Sequence, residues 1–417
     1  MSNEVDAALT HLAREDSGRV LALLARRFRD LDLADEAVQD AMAKAAERWP
    51  LDGVPDSPPA WLMTTARNRA IDLLRRRDAR RRAATALRDL PPDDGDDPDT
   101  DMSPIDIDDA PDERLRLLLL CCHPALGRDA QVALTLRLVA GVTTDEIAAA
   151  YLVETPTVAA RITRAKKKIR QAGIPMSMPD ELGPRLGGVL RTLYLMFNEG
   201  YLSRSGRQGP ARLDLCREAI RLSEVIISLR PDEPEALGLR ALMGFIHARR
   251  DTRFAGDRLV TLDRQDRTRW HRDEIAAANQ LIAAAMRTHR PGPFQFEALI
   301  AAHHANAPDA DSVDWPGIVG LYDQYVVFDP SPVVQLNRAA AIGQADGPQA
   351  GFTAVETITG LDDYHLYWAT RAEFASRTGR DTEAKAAYDR AIELTDNPAE
   401  RAHLEERRTE RTSPGTG

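Results

Sequence analysis

TPTVAARITRAKKKIR, Thr155 to Arg170, carries six basic residues and no acid. Thr155 is a good N-cap and Pro156 suits the first helical position, where its missing N–H costs nothing and its φ is already helical. Val158, Ile162, Ala165 and Ile169 follow at i, i+4, i+7 and i+11, one apolar stripe. Just upstream, Thr143 and Glu146 fit the S/T-x-x-E capping box and start a short helix with Ile147 and Ala148 inward, and "LVE" makes a tight turn. Short helix, turn and capped second helix spell a helix-turn-helix.

Off the stripe lie Thr157, Ala160, Arg161 and Arg164, then Lys167, Lys168 and Arg170. In this motif the N-terminal residues of the second helix reach base edges in the major groove, while flanking Lys and Arg neutralise phosphates. A solvated basic face is the bland alternative. The motif indicates DNA contact without saying which kind of DNA-binding protein carries it.

The chain around it has 417 residues, enough for two to four domains. Hydrophobic residues make up 43% and aromatics 5%, which suits Ala- and Leu-rich helical packing, so an all-α fold is expected. A net charge of -10 repels nucleic acid as a whole, so any DNA contact is local. The three cysteines, Cys121, Cys122 and Cys216, are too few and too irregular for a disulfide framework. With an acidic start lacking an apolar segment, the expected compartment is the cytoplasm, without a membrane partner.

Four zones separate by composition: a helical block at 1–88, a Pro/Asp linker at 89–112, a compact helical block at 113–174 and a long helical region at 180–417. Asp89 to Glu113 holds twelve acids and no Lys or Arg, and is expected to be extended or disordered. In the last zone Trp368, Gly379, Ala384, Tyr388, Ala391 and Pro398 fall close to tetratricopeptide spacing, with Pro398 displaced and expected to end the second helix. The repeat-like pattern is strongest over 316–410, with a generic helical domain as the alternative. Such arrays present concave surfaces, and a protein or small ligand is the expected partner.

In the first block, "LDLADEAVQDAMAKAAERWP" puts Ala37, Ala41, Ala45 and Trp49 inward and Asp35, Glu36, Gln39 and Asp40 outward. An acidic face beside a DNA-binding block suits a protein partner. "PPAWLMTTARNRAIDLLRRRDARRR" then places Trp61, Leu62, Ala66, Ala70, Leu73 and Leu74 on or near a packing face. It sets eight arginines against Asp72 and Asp78. Guanidinium groups at that density favour phosphates or unpaired bases.

These motifs, in this order, resemble a bacterial RNA polymerase sigma factor of the extracytoplasmic-function (ECF) type, residues 1–174 corresponding to its sigma-2 and sigma-4 domains. The resemblance implies core RNA polymerase (β′ clamp and β flap) and promoter DNA as partners. Asp35, Glu36, Gln39 and Asp40 would face the β′ clamp. Trp61, Arg67, Asn68, Asp72, Arg75 and Arg76 would meet the minus-ten element, and Thr157, Arg161, Arg164, Lys167 and Lys168 the minus-thirty-five element. The acidic linker would thread toward the active-site and RNA-exit channels. Residues 180–417 look like the extension of one ECF subgroup, a domain of unknown function with a tetratricopeptide-like end, probed by "LYLMFNEGY" and "SPVVQLNRAAAI". Two rivals stay open: a self-sufficient helix-turn-helix regulator, and a helical-repeat scaffold with incidental basic runs.

No enzyme is expected, since no nucleophile, base and orienter set is found, and no cofactor is expected. "CCHP" (Cys121, Cys122, His123) is poorly spaced for a metal and reads as buried helix thiols. His303 and His304 adjoin on a helix and so point about 100° apart. "FNEGYLSRSG" (Phe197 to Gly206) reads as structural, with a ligand or partner site as its alternative.

Overall fold

The computed structural model describes residues 2–86, 111–151, 153–174, 182–201, 210–255, 258–395 and 398–412. They form two compact units, Met1–Leu195 and Met196–Gly417. The expected extended linker at 89–112 lies outside the described residues up to 110, and so do Leu202 to Gly206 of the "FNEGYLSRSG" cluster.

The first unit begins with α1 (Ser2–His11), a π-helical turn at Leu12–Asp16, α2 (Ser17–Phe28), α3 (Leu31–Asp52) and α4 (Pro58–Ala86). Asp30 caps α3 by accepting from the Leu33 amide at 2.9 Å. The alanines expected inward on α3 are all buried, with Trp49 at 2% exposure meeting Trp61 of α4 edge to face at 5.6 Å between centroids. Leu62, Ala66, Ala70 and Leu73 supply the facing surface of α4. Small residues on both helices bring them close.

The unit continues with α5 (Pro111–Cys121), α6 (Arg128–Leu134), a π-helical turn at Thr135–Val139, α7 (Thr144–Tyr151) and α8 (Thr155–Gln171). The capping box is present: the Thr143 amide donates to Glu146 Oε2 at 2.8 Å and the Glu146 amide to Thr143 Oγ1 at 3.2 Å. Val158, Ile162, Ala165 and Ile169 are buried, so the stripe is the packing face of α8. The capping expectation for Thr155 is corrected. Glu154 holds the N-cap position without a side-chain bond, and the Thr155 hydroxyl donates to Asp145 of α7 at 2.8 Å instead.

The division between units falls inside α9 (Leu182–Tyr201). Its first half belongs to the first unit, where Leu186, Val189, Leu190 and Leu193 are buried.

In the second unit α10 (Pro210–Leu229), α11 (Pro234–His247), α12 (Arg272–Met286) and α13 (Pro293–Asn306) come first. Between α11 and α12 lies a hairpin of two-residue strands, Phe254–Ala255 antiparallel to Arg258–Leu259, the departure from an all-helical chain among the described residues. Then follow α14 (Trp315–Phe328), α15 (Pro332–Ala345), α16 (Pro348–Glu356), α17 (His365–Arg377), α18 (Asp381–Leu394) and α19 (Pro398–Thr412). Sequence neighbours pack on one another through a chain of small cores. Phe296, Ile318 and Tyr325 form one, Leu336, Phe352 and Phe374 the next, and Ala372, Tyr388 and Leu404 a third. Pro398 is corrected too: it opens α19 rather than closing α18, which ends at Leu394.

Candidate nucleic-acid and polymerase interface

The acidic residues of α3 are held by basic ones. Arg77 of α4 reaches Asp30 at 2.8 Å and Glu36 at 3.5 Å, and Arg69 reaches Asp40 at 2.5 Å. Glu36 and Gln39 are exposed and Asp40 is half-buried, as an outward face requires. Asp35 is not outward. It is 6% exposed, accepts from Gln39 Nε2 at 2.6 Å and pairs with Lys166 of α8. The periodicity of α3 places Asp35 at the edge of its outer face, and a second module covers that edge.

Along α4, Asn68, Asp72, Arg75 and Arg76 are exposed, whereas Trp61 and Arg67 are half-buried. A solvent-facing row of guanidinium groups on a helix whose other side is packed can track a phosphate backbone or stack on bases. Along α8, Thr157, Arg164, Lys167 and Lys168 are exposed, and Arg164 folds back to the Ala160 carbonyl at 3.2 Å. Arg161 is half-buried, with its guanidinium 3.4 Å from Asp129 of α6. The outer face of α8 is thus basic from Arg161 onward, with the stripe behind it fixing which side is offered.

Sequence reasoning missed Asp32, Lys166 and Arg170 as one cluster. Arg170 pairs with Asp32, and Lys166 Nζ lies 3.7 Å from Asp32 Oδ1. Their opposite charges are visible in sequence, but nothing local joins residues 131 positions apart such as Asp35 and Lys166.

The cysteines are buried, as expected of structural thiols. Burial pushes the Cys121 thiol well above its ordinary range, with Cys122 adding to the rise, and Cys216 is pushed up to about 12 by burial. Among the described residues no group of three or more His, Cys, Asp or Glu could hold a metal ion. No helix of the described residues is long and apolar enough to cross a membrane.

The second unit carries a cavity of about 1010 Å³ lined by α15, α17 and α19 together with the 261–267 turn, with Arg267, His304, Trp315, Glu373, Tyr388 and Arg407 among its walls. Arg267 is 7% exposed and donates to the Ala307 and His304 carbonyls at 3.0 and 2.5 Å, satisfying the end of α13. Burial drives the His304 imidazole down to about 4, and the positive charges of Arg249 and Arg267 push the same way.

An acidic helix against an arginine-rich one, followed by a helix-turn-helix with a basic outer face, is an arrangement suited to binding nucleic acid. Residues 12–80 match the model described as Sigma-70 region 2, residues 116–169 the one described as Sigma-70, region 4, and residues 185–286 a family of unknown function, DUF6596. A protein of Rhizobium meliloti (strain 1021), itself described as uncharacterized, is 42% identical over 409 residues, covering 96% of this chain and 94% of its own. No solved structure matches the chain. The chain belongs to the family of that relative, and it itself carries sigma-70 regions 2 and 4 with a DUF6596 domain behind them. Its role is promoter recognition with RNA polymerase, and core polymerase and promoter DNA are its partners.

Proposed function

We propose that the chain is an ECF-type sigma factor in which 1–88 and 113–174 act as sigma-2 and sigma-4, 89–112 is the tether, and 180–417 is a fused helical module with tetratricopeptide-like character over 316–410. The observation that carries this reading is the pairing of α3 and α4: one helix concentrates carboxylates, the other exposed arginines, and both precede a helix-turn-helix with a basic outer face. Glu36, Gln39 and Asp40, with Asp35 once uncovered, meet the β′ clamp. Trp61, Arg67, Asn68, Asp72, Arg75 and Arg76 engage the opened minus-ten strand. Thr157, Arg161 and Arg164 read the minus-thirty-five groove, with Lys167 and Lys168 on phosphates and the β flap behind. Binding of unpaired bases shifts the closed-to-open equilibrium of the promoter, without covalent chemistry.

The test is band-shift titration of duplex promoter DNA with the protein alone and with core polymerase. A sigma factor shifts the fragment mainly as holoenzyme. Tight binding by the purified chain alone would instead favour a self-sufficient regulator.

The second unit acts as an interaction and regulatory module, a reading supported by its cavity and its serial helix packing. Truncation after Tyr201 keeps α9 whole, with the side chains it buries in the first unit, and is expected to alter promoter output or polymerase affinity. Unchanged transcription would sink that role.

A further inference from the structure

Helix α2 is buried at six consecutive positions, Val20 to Ala25. Six consecutive positions turn through more than one full turn of helix, so this apolar stretch has cover on every side, while Arg19, Arg26 and Arg27 flank it. Within the first unit α3 and α4 take one side, while α5 and the Thr135–Val139 turn take the other. The second contact is made at backbone distance. A Cβ on Gly18 would stand 2.5 Å from the Val139 carbonyl oxygen, and one on Gly141, at φ +67°, would stand 1.9 Å from that of Ala13. Across the same boundary Arg26 of α2 reaches Glu113 of α5 at 2.6 Å, with Glu113 only 1% exposed. The modules matching regions 2 and 4 are therefore clasped, and the Lys166, Arg170, Asp32 and Asp35 cluster closes the rim.

We infer that the C-terminal half of α8 competes with core polymerase for the face of α3 that carries Asp35. The protein by itself rests closed, and polymerase binding parts α8 from α3. The inference rests on the sigma-factor reading and adds to it which surface is occluded and by what.

The electrostatics favour such an exchange. The Lys166 and Asp35 side chains are 12% and 8% exposed, so each would leave a poorly solvated charge behind if only one were removed. Opening is favoured when both gain new partners at once. A basic polymerase surface would take Asp35, and promoter phosphates would take Lys166 and Arg170.

The three native cysteines are buried, so spin labels at Glu47→Cys and Gln171→Cys, both exposed, report the distance between α3 and α8 in the full chain. The unliganded protein should give one short, narrow distance distribution. In a Lys166→Ala/Arg170→Ala background, with helical content unchanged by circular dichroism, the distribution should lengthen. Affinity for core polymerase without DNA should tighten about tenfold, because apparent affinity scales with the fraction of competent conformer. Arg170→Asp alone should also open the clasp, and adding Asp32→Arg should close it again. A distance that the double alanine variant does not lengthen, or a lengthened distance with unchanged affinity, overturns the inference. Absence of any core binding by every variant, with the short distance retained, would instead remove the sigma-factor reading and the competition with it.

Discussion

Arg69 Nε stands 2.5 Å from Asp40 Oδ2, so the helix proposed to meet promoter DNA is tied to the one proposed to meet polymerase. The two side chains are 29% and 43% exposed, and pairs in that range contribute under about 1 kcal/mol. Asp40→Ala should therefore shift thermal unfolding by only a few degrees while clearly weakening core polymerase binding. A large drop in melting temperature with normal polymerase affinity would make Asp40 a structural residue.

Arg161 and Lys168 should separate base reading from phosphate anchoring. Arg161 sits half-buried beside Asp129 near the start of α8, whereas Lys168 is exposed in its last turn. Arg161→Ala should weaken promoters unequally, by about 1–3 kcal/mol where its base is present. Lys168→Ala should weaken all of them alike and lower the slope of log affinity against log salt by about 0.9. Uniform loss for Arg161→Ala would demote it to a phosphate contact.

The two threonines of the helix-turn-helix should differ in cost. Thr143 bonds the Glu146 amide in a reciprocal box, so Thr143→Ala should destabilise the first unit by about 1 kcal/mol. Thr155 caps nothing and bonds only the exposed Asp145 carboxylate, so Thr155→Ala should cost less. Chemical denaturation of the two variants decides this, and equal losses would restore Thr155 as the cap.

The pH response should come partly from His304. Its folded value of about 4 lies below the ordinary imidazole value, so the unfolded chain binds the extra proton first as pH falls. Its contribution to stability is complete above about pH 6.5 and is lost progressively down to about pH 4, by up to about 3 kcal/mol. Calorimetric scans across that window should show the second unit weakening, and His304→Gln should flatten the dependence. An unchanged slope in the variant would assign the acid sensitivity elsewhere.

The helical period made the packing faces readable: Ala37, Ala41 and Ala45 on α3 and Val158, Ile162 and Ile169 on α8 are buried where spacing puts them. The Thr143 box was equally legible because its partners lie three residues apart. Asp35 was not, since its position on α3 is neutral between solvent and cover, and the lysine that covers it arrives through tertiary packing. Arg267 escaped for the same reason. An arginine in a charged turn reads as solvated, and only the end of α13 across the fold shows why it is buried. The Thr155 cap failed because α8 begins one residue earlier than the Thr-Pro signal implies: Glu154 takes the extended N-cap position and Thr155 already lies in the first turn.

Run-off transcription with core polymerase, with and without the full-length protein, on fragments of its own genome tests the central claim most directly. The account predicts discrete transcripts that appear only when the protein is added, and that fade with Asp40→Ala and with Arg161→Ala. Core polymerase giving the same transcripts with and without the protein, across fragments covering the genome, would contradict it.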